Sequence, residues 1–343
     1  MRIVLLGTEF GMTGAGLLLY RWAVDLVRRG QTVIAVHKAG DDGPLRAAYA
    51  ASGVTLAARF KVDRETVVVC NTLLAAPYVL QVSGVAPTIW WIHEGEPGVT
   101  LLLTHPDAAQ AFHRAHAVIF PSATIRDRVY KSFLLGVPDQ RLHIIPPGLD
   151  PLGPDEPPPE PATDRATRVI CVGSIYPRKC QVDLIMAIAR LADLPIECLL
   201  VGRAVDLPGE AREIVEAAPR RYALTGELPH AETLRLLARA DIFSLPSASE
   251  CLPIAPMEAA QRGKALILSD LPAHEGLWRH GVNCLMHAVG DVDLLAHSLR
   301  ILATDAPLRA RLGEAARLTV AGFGNDIFLA RLNMVMAGLL RTP

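Results

Sequence analysis

The stretch SLPSASECLPIAPMEAAQRGKALILSD, Ser244 to Asp270, decides how the chain is read. It starts at the end of an apolar run, Asp241 to Leu245, and finishes in another, Ala265 to Leu268. Strand, polar loop, short helix and second strand make a βαβ unit. Glu250 falls in the loop and Glu258 on the first turn of the helix, with no other charge between them. Pro253 and Pro256 suit a helix start, where N–H groups lack intrahelical partners anyway. The N–H groups of Cys251, Leu252, Ile254 and Ala255 are left to point outward. A helix N-terminus at the carboxyl end of a parallel strand attracts anions, and carboxylates accept hydrogen bonds from hydroxyls. The combination suggests a ligand with both phosphate and sugar hydroxyls.

Strand–loop–helix alternation extends to both sides of this unit. Arg2 to Gly7 reads as a buried strand, Thr8 to Gly16 as a glycine-bearing turn, Leu17 to Arg29 as a helix closed by Gly30, and Thr32 to His37 as the next strand. Thr66 to Cys70, Thr88 to His93, Ala117 to Phe120 and Leu142 to Ile145 read as further strands. Helices are expected up to Val82, over Asp107 to Arg114, and from a Ser122 cap through ATIRDRVYKSFL. Six of the eleven residues from Pro151 to Pro161 are proline, which suits a stiff linker. Alternation then restarts with strands at Arg168 to Gly173, Ile196 to Val201 and Arg221 to Leu224, and helices near Gln181 to Leu191, Glu210 to Ala217 and Ala231 to Arg239. Beyond Ser244–Asp270 come a short strand, Asn283 to Met286, and helices from Asp291, Pro307 and Asn325.

The fold class is therefore α/β, with two Rossmann-like doubly wound parallel-sheet domains facing a cleft. The expected divisions are 1–150, a linker at 151–165, a second domain at 166–322 and a C-terminal helix in 323–343. The default ligand site is that cleft.

Composition narrows the function. A net charge of −1 argues against an electrostatic nucleic-acid binder. No apolar run approaches the ~20 residues of a membrane span, and no signal-peptide pattern precedes the first strand. The six cysteines are scattered and several sit in apolar runs, as reduced buried thiols do. A cytoplasmic protein is expected. Gly11, Gly14 and Gly16 do not fit GxGxxG, and no acidic residue ends the second strand, so a nicotinamide cofactor is a poor fit and none is expected. Asp291 and Asp293 precede an apolar-periodic helix, which points to N-capping rather than a metal site.

Other residues in the second half match the phosphate-plus-sugar reading. Gly173 ends a strand, and Arg178 and Lys179 could neutralise a diphosphate. Gly202 and Arg203 end another strand and could approach a base or phosphate. In the first half His93 could bond a sugar or donate to a leaving group, with Glu94 and Glu96 as runner-up acid/base candidates. Each has a plainer reading. Arg178–Lys179 could be a solvated pair, Glu258 a dipole-favoured surface residue, Glu250 and Gly202 turn residues, and His93 a satisfied core histidine.

Three ordered blocks carry a resemblance: Val172 to Lys179; Leu224 to Leu228 through Ala240 to Ser247; and Glu250-x7-Glu258 followed by Ala259 and Gly263. Together they resemble the retaining glycosyltransferases of family 4, a glycogen-synthase-like group with the GT-B fold. In the first half Gly14 and Gly16 stand where the family has a glycine-rich loop. His93 stands where it often has a donor-contacting histidine, and Ile145 to Asp150 resembles its end-of-domain block, with Pro147 replacing Asn.

The resemblance implies a nucleoside-diphosphate-sugar donor, a UDP- or GDP-sugar, and an acceptor hydroxyl on a small molecule, saccharide or lipid-linked glycan. By that analogy Arg178 and Lys179 bind the diphosphate, Glu250 and the N–H groups after it the sugar, and Glu258 the ribose. Gly14 to Gly16 would approach the phosphates or acceptor. It implies retention without a metal, and a last helix that crosses back onto the first domain. Cys251 departs from the family's usual Gly or Ala. Two other readings stand beside transfer: a GT-B-fold nucleotide-sugar epimerase, and a non-catalytic nucleotide-sugar-binding subunit. Arg28–Arg29 and Tyr130 to Leu135 offer a peripheral membrane contact, against the plainer reading of a solvated helix face.

Overall fold

The computed structural model describes residues 1–7, 10–37, 42–153 and 165–340. The chain divides into two compact units, Met1–Gly148 with Phe323–Pro343, and Leu149–Gly322. Most of the proline-rich segment, residues 154–164, lies outside the described residues, as do Thr8 and Glu9 of the first glycine-bearing turn.

The first unit runs β1 (Arg2–Leu6), α1 (Gly14–Arg28), β2 (Thr32–Val36), α2 (Pro44–Ala51), β3 (Thr55–Ala57), β4 (Thr66–Asn71), α3 (Ala76–Val82), β5 (Thr88–Trp91), α4 (Glu96–Thr104), α5 (Pro106–Ala109), α6 (Ala111–Arg114), β6 (Ala117–Phe120) and β7 (Leu142–Ile144). Its strands form a sheet in the order β3-β2-β1-β4-β5-β6-β7, and every described pairing is parallel. β4, TVVVCN, is buried at all six positions. A strand buried without alternation must be covered on both faces, which parallel sheets require.

The C-terminal helix, Asn325–Leu339, belongs to this first unit. Trp22 Nε1 of α1 donates to Asn333 Oδ1 at 3.0 Å, and Asn333 Nδ2 donates to Asp25 Oδ2 at 2.7 Å. Phe328 packs on Trp91 with ring centroids 5.9 Å apart. Gly148 explains part of the PPGLD block. A Cβ there would sit 2.6 Å from Phe328 Cβ and 2.7 Å from Asn325 Cα, so only glycine lets the chain pass. Its carbonyl accepts from the buried Arg21 at 3.0 Å.

The second unit runs β8 (Thr167–Val172), α7 (Gln181–Ala189), β9 (Ile196–Val201), α8 (Gly209–Ala217), β10 (Tyr222–Leu224), α9 (His230–Arg239), β11 (Ile242–Leu245), α10 (Ile254–Gln261), β12 (Ala265–Ser269), β13 (Leu285–His287), α11 (Val292–Thr304) and α12 (Ala306–Val320). The sheet order is β10-β9-β8-β11-β12-β13, again parallel in every described pair. Chain order reverses between β8 and β11, which pair directly. The loops leaving those two strands therefore emerge side by side at the carboxyl edge, where doubly wound sheets bind ligands.

The structure corrects several expectations. α2, β3 and α4 had no counterpart in the reading of the first half. The helix expected from Ser122 is broken. Ser122 Oγ does accept from Ile125 N–H at 3.2 Å, but a π-turn at Ile125–Val129 and a 3-10 turn at Lys131–Phe133 follow. Tyr130 is fully buried and its hydroxyl donates to the Glu94 carbonyl at 3.0 Å, so it is a core residue and no membrane anchor. Arg29 is paired with Asp25 at 2.7 Å. Among the described residues no helix is long and apolar enough to cross a membrane.

Phe328→Ala should cost about 3–5 kcal/mol, since it empties a buried aromatic site against Trp91. Urea denaturation checks this, and a loss under about 1 kcal/mol would contradict the tie between the C-terminal helix and the first unit.

Candidate functional site

In the second unit, β8 ends at Val172 and Gly173 turns the chain with φ 144°. The loop then closes as a 3-10 turn, Pro177–Lys179, and enters α7 through Cys180 at φ 50°. Gln181, buried, donates its side-chain amide to the carbonyls of Gly173 and Ser174 at 3.2 and 3.0 Å and fixes the loop from below. Gly202, also at φ 144°, ends β9. A Cβ on it would collide with the Gly173 carbonyl and come within 2.9 Å of Ser174 N, so the two strand-end loops need glycine to lie this close.

The loop after β11 comes alongside. Ala248 N–H donates to the Arg178 carbonyl at 2.8 Å. Lys179 Nζ lies 2.6 Å from Glu250 Oε1, and Arg178 Nη1 lies 3.7 Å from Oε2. Arg178 also donates to the Ser249 carbonyl and the Tyr176 hydroxyl. Glu250 is 6% exposed. The candidate diphosphate cations and the candidate sugar carboxylate thus form one cluster. A carboxylate this buried costs several kcal/mol unless paired, and Lys179 supplies the closest pairing. With three N–H donors, the ammonium can hold Glu250 and still offer hydrogen to another anion.

α10 begins after Pro253 as N-cap, and Ile254 and Ala255 are its first helical residues. Their N–H groups have no acceptor within the helix. Pro256 carries no N–H, so the anion-facing edge is narrower than four amides. Cys251 and Leu252 lie in the preceding loop, half-buried. Glu258 corrects the reading from sequence. It is the fifth residue of α10, on the second turn, and is 7% exposed. Its Oε1 lies 2.7 Å from Nε2 of His230, a residue that the sequence reading passed over. Arg203 is exposed, and its carbonyl accepts from Ile175 N–H at 2.9 Å.

Below this edge several buried polar atoms have no partner among the described residues: Ser244 Oγ, Ser247 Oγ, Ser269 Oγ and His274 Nε2. His274 Nδ1 lies 2.8 Å from the Ser269 carbonyl, and burial pushes its pKa down.

The first unit has its own polar cluster. Gly14 and Gly16 sit in the first turn of α1 rather than in a loop, with Gly16 N–H donating to Thr13 Oγ1 at 3.0 Å. His93 lies two residues beyond β5, packed at a tilt against Trp91 with centroids 4.7 Å apart. Its Nε2 is 2.8 Å from Asn71 Oδ1. The residue is half-buried overall, with its ring enclosed by neighbours. The enclosure pushes its pKa from 6.5 down to about 3, so the ring is neutral near pH 7. Nε2 carries the hydrogen toward Asn71, which makes Nδ1 an acceptor. A neutral ring with its N–H engaged is a poor proton donor to a leaving group. Glu94 is committed too: its Oε2 accepts from the N–H groups of His93 and Leu73, each at 3.0 Å. Glu96 is the first residue of α4. Thr72, between these groups, holds φ 70°, a strained conformation for a β-branched residue.

Asp291 caps α11 through Leu294 N–H at 2.8 Å, and Asp293 pairs with Arg190. Among the described residues no three His, Cys, Asp or Glu side chains converge on a metal position. Cys70, Cys171, Cys198 and Cys284 are buried, and burial pushes the Cys171 thiol up to about 12.

Comparison with known proteins follows the same lines. Residues 154–319, just under half of the 343 residues, match the family model of glycosyl transferases group 1. Over 158 residues the chain is 27% identical to the lipopolysaccharide core biosynthesis glycosyltransferase LpsE of Rhizobium meliloti (strain 1021). That match covers 45% of this chain and 44% of the relative, so it spans less than half of the relative's length. Anabaena HepE, solved in complex with UDP-glucose, superposes with a TM-score of 0.79 at 18% identity, over 98% of this chain and 100% of that one. Sucrose-phosphate synthase from Thermosynechococcus elongatus gives 0.73 at 16% identity over 100% of both chains. At these identities the structural likeness is one of fold.

Two results test this geometry. Lys179→Met strands Glu250 beside Arg178 alone and should cost about 2–3 kcal/mol, less than the ~3–5 of a fully broken buried pair. Adding Glu250→Leu should recover most of the loss, and strict additivity in denaturant titrations would contradict the pairing. His93 has a folded pKa below its unfolded value, so the unfolded chain binds the extra proton and stability falls as pH drops from 6.5 toward about 3. Because a single group titrates, the slope should stay below the limit of about 1.4 kcal/mol per pH unit. His93→Phe should flatten stability-against-pH curves in that window, and an unchanged slope would show that the ring does not carry it.

Residues 154–319 therefore match the model of glycosyl transferases group 1, and the two parallel-sheet α/β domains have the GT-B fold.

Proposed function

We propose that this chain is a retaining glycosyltransferase of family 4 that moves a sugar from a UDP- or GDP-sugar to an acceptor hydroxyl. The observation that carries this reading is the convergence of Arg178 and Lys179 on buried Glu250, at the carboxyl edge of β8 and β11 and inside the matched stretch. Relatives named for lipopolysaccharide core synthesis and for UDP-glucose complexes support a nucleotide-sugar donor and a saccharide or lipid-linked acceptor.

In this reading the diphosphate lies against Arg178, Lys179 and the N–H groups of Ile254 and Ala255. Gly173 and Gly202 allow close approach of backbone to ligand, with Arg203 beside them. Glu250, with Cys251 and Leu252 after it, takes hydroxyls of the transferred sugar, and Glu258 takes the ribose. Gly14 and Gly16 of the first unit approach the phosphates or the acceptor. His93 Nδ1 accepts from a substrate hydroxyl, a role compatible with a neutral ring, and general-acid duty is not assigned to it.

Transfer breaks the bond between the anomeric carbon and the diphosphate oxygen. The acceptor hydroxyl forms the new bond on the same face, and its proton leaves with the diphosphate. Stabilising the charge on that leaving group is the dominant catalytic contribution. Two cations and a helix N-terminus supply it, so no metal is invoked. Peripheral attachment to a membrane is not needed for this chemistry.

Incubation with UDP-glucose or GDP-mannose and a panel of saccharide and lipid-linked acceptors tests the reading. The expected result is a product of retained anomeric configuration by NMR, undiminished by EDTA. Lys179→Ala should lower the rate about a hundredfold or more. Epimerised nucleotide sugar in the absence of acceptor would replace transfer with epimerisation. Tight donor binding without turnover over the whole panel would point to a binding subunit.

A further inference from the structure

His230 is the first residue of α9, placed there by Pro229 as N-cap, at the carboxyl end of β10. α9 packs beside α10, which carries Glu258. His230 Nε2 and Glu258 Oε1 are 2.7 Å apart, with side-chain exposures of 23% and 9%. An ionised carboxylate only accepts, so the hydrogen sits on Nε2 whether the ring is neutral or charged. Glu258 Oε2 has no hydrogen-bond partner among the described residues. The backbone end of the residue is held as well, since Arg262 Nη1 donates to the Glu258 carbonyl at 2.9 Å.

A glutamate's terminal torsion is broad and roughly two-fold when nothing holds it. Pinning one oxygen from the side fixes the plane of the carboxylate and aims the lone pairs of the other. A vicinal diol presents two donors in a fixed relation, so it rewards a carboxylate whose plane is set before binding. We propose that His230 is a positioning residue that fixes Glu258 for the ribose diol of the donor nucleotide. This rests on the ribose role given to Glu258 above, and deepens it. His230 touches no reacting atom in this account; it acts through Glu258.

The test is a set of dissociation constants for UDP and GDP, each beside the dideoxy analogue that lacks both ribose hydroxyls. The proteins are wild type, Glu258→Ala, His230→Phe, His230→Leu and His230→Gln, each checked for an intact melting transition. Wild type should prefer the ribonucleotide by about tenfold or more, and Glu258→Ala should lose that preference. His230→Phe keeps the ring and deletes the donor. It should cut ribonucleotide affinity about tenfold and leave the dideoxy affinity unchanged. His230→Gln restores an N–H donor and should recover most of the preference. His230→Leu repeats the deletion if the Phe variant does not fold.

Preserved preference in the Phe or Leu variant, with loss in Glu258→Ala, would overturn the role of His230 and leave the ribose reading standing. Wild type that binds neither nucleotide, or binds each no better than its analogue, would remove the ribose reading and this inference with it. Equal loss for ribo- and dideoxynucleotide would reduce His230 to a structural residue and likewise overturn the proposal.

Discussion

A buried carboxylate held by a lysine is the interaction on which the candidate site depends. Glu250 is 6% exposed and lies 2.6 Å from Lys179. Neither residue could keep that position alone. The carboxylate would be a costly unpaired charge, and the lysine would be one more cation at a loop end. Their meeting requires two loops, 75 residues apart at Gly173 and Ala248, to run side by side. The direct pairing of β8 with β11 provides this. Ala248 N–H on the Arg178 carbonyl, and the collision that any Cβ on Gly202 would make with Gly173, set the remaining distances. The electrostatics of the site are thus a consequence of strand order.

The first unit solves a similar problem with hydrogen bonds instead of an ion pair. Asn71 at the end of β4 holds His93 beyond β5, and Glu94 folds back onto two backbone N–H groups. The strained Thr72 sits among them. Strain at a strand end is tolerated when the surroundings hold it in place, and here the Trp90 indole donates to the Thr72 carbonyl at 2.8 Å. A histidine that looks from sequence like a proton donor is instead neutral, with one nitrogen engaged by Asn71.

Much of this was legible in the sequence because parallel strands announce themselves. Runs such as Val67 to Cys70 and Ala265 to Leu268 are apolar throughout, and their ends mark where ligand loops must lie. Arg178, Lys179 and Glu250 could be named because charges in such loops are few. What could not be read depended on contacts between distant segments. Nothing in the local pattern of Glu258 reveals His230, twenty-eight residues earlier on another helix. The helix start was misplaced because Pro253 and Pro256 are both tolerable in a first turn, and only the backbone shows Pro253 to be the cap. The Ser122 helix failed for a related reason. Its periodicity is sound, but Tyr130 is drawn into the core to reach the carbonyls of Glu94 and Gly95, and the chain widens into a π-turn to allow it.

The most direct test of the central claim is a crystal structure of the chain soaked with UDP-glucose. The account predicts diphosphate oxygens within hydrogen-bond distance of Lys179 Nζ and the Arg178 guanidinium, with sugar hydroxyls on Glu250. A nucleotide whose phosphates avoid both cations, or a Glu250 that stays remote from the sugar, would contradict it.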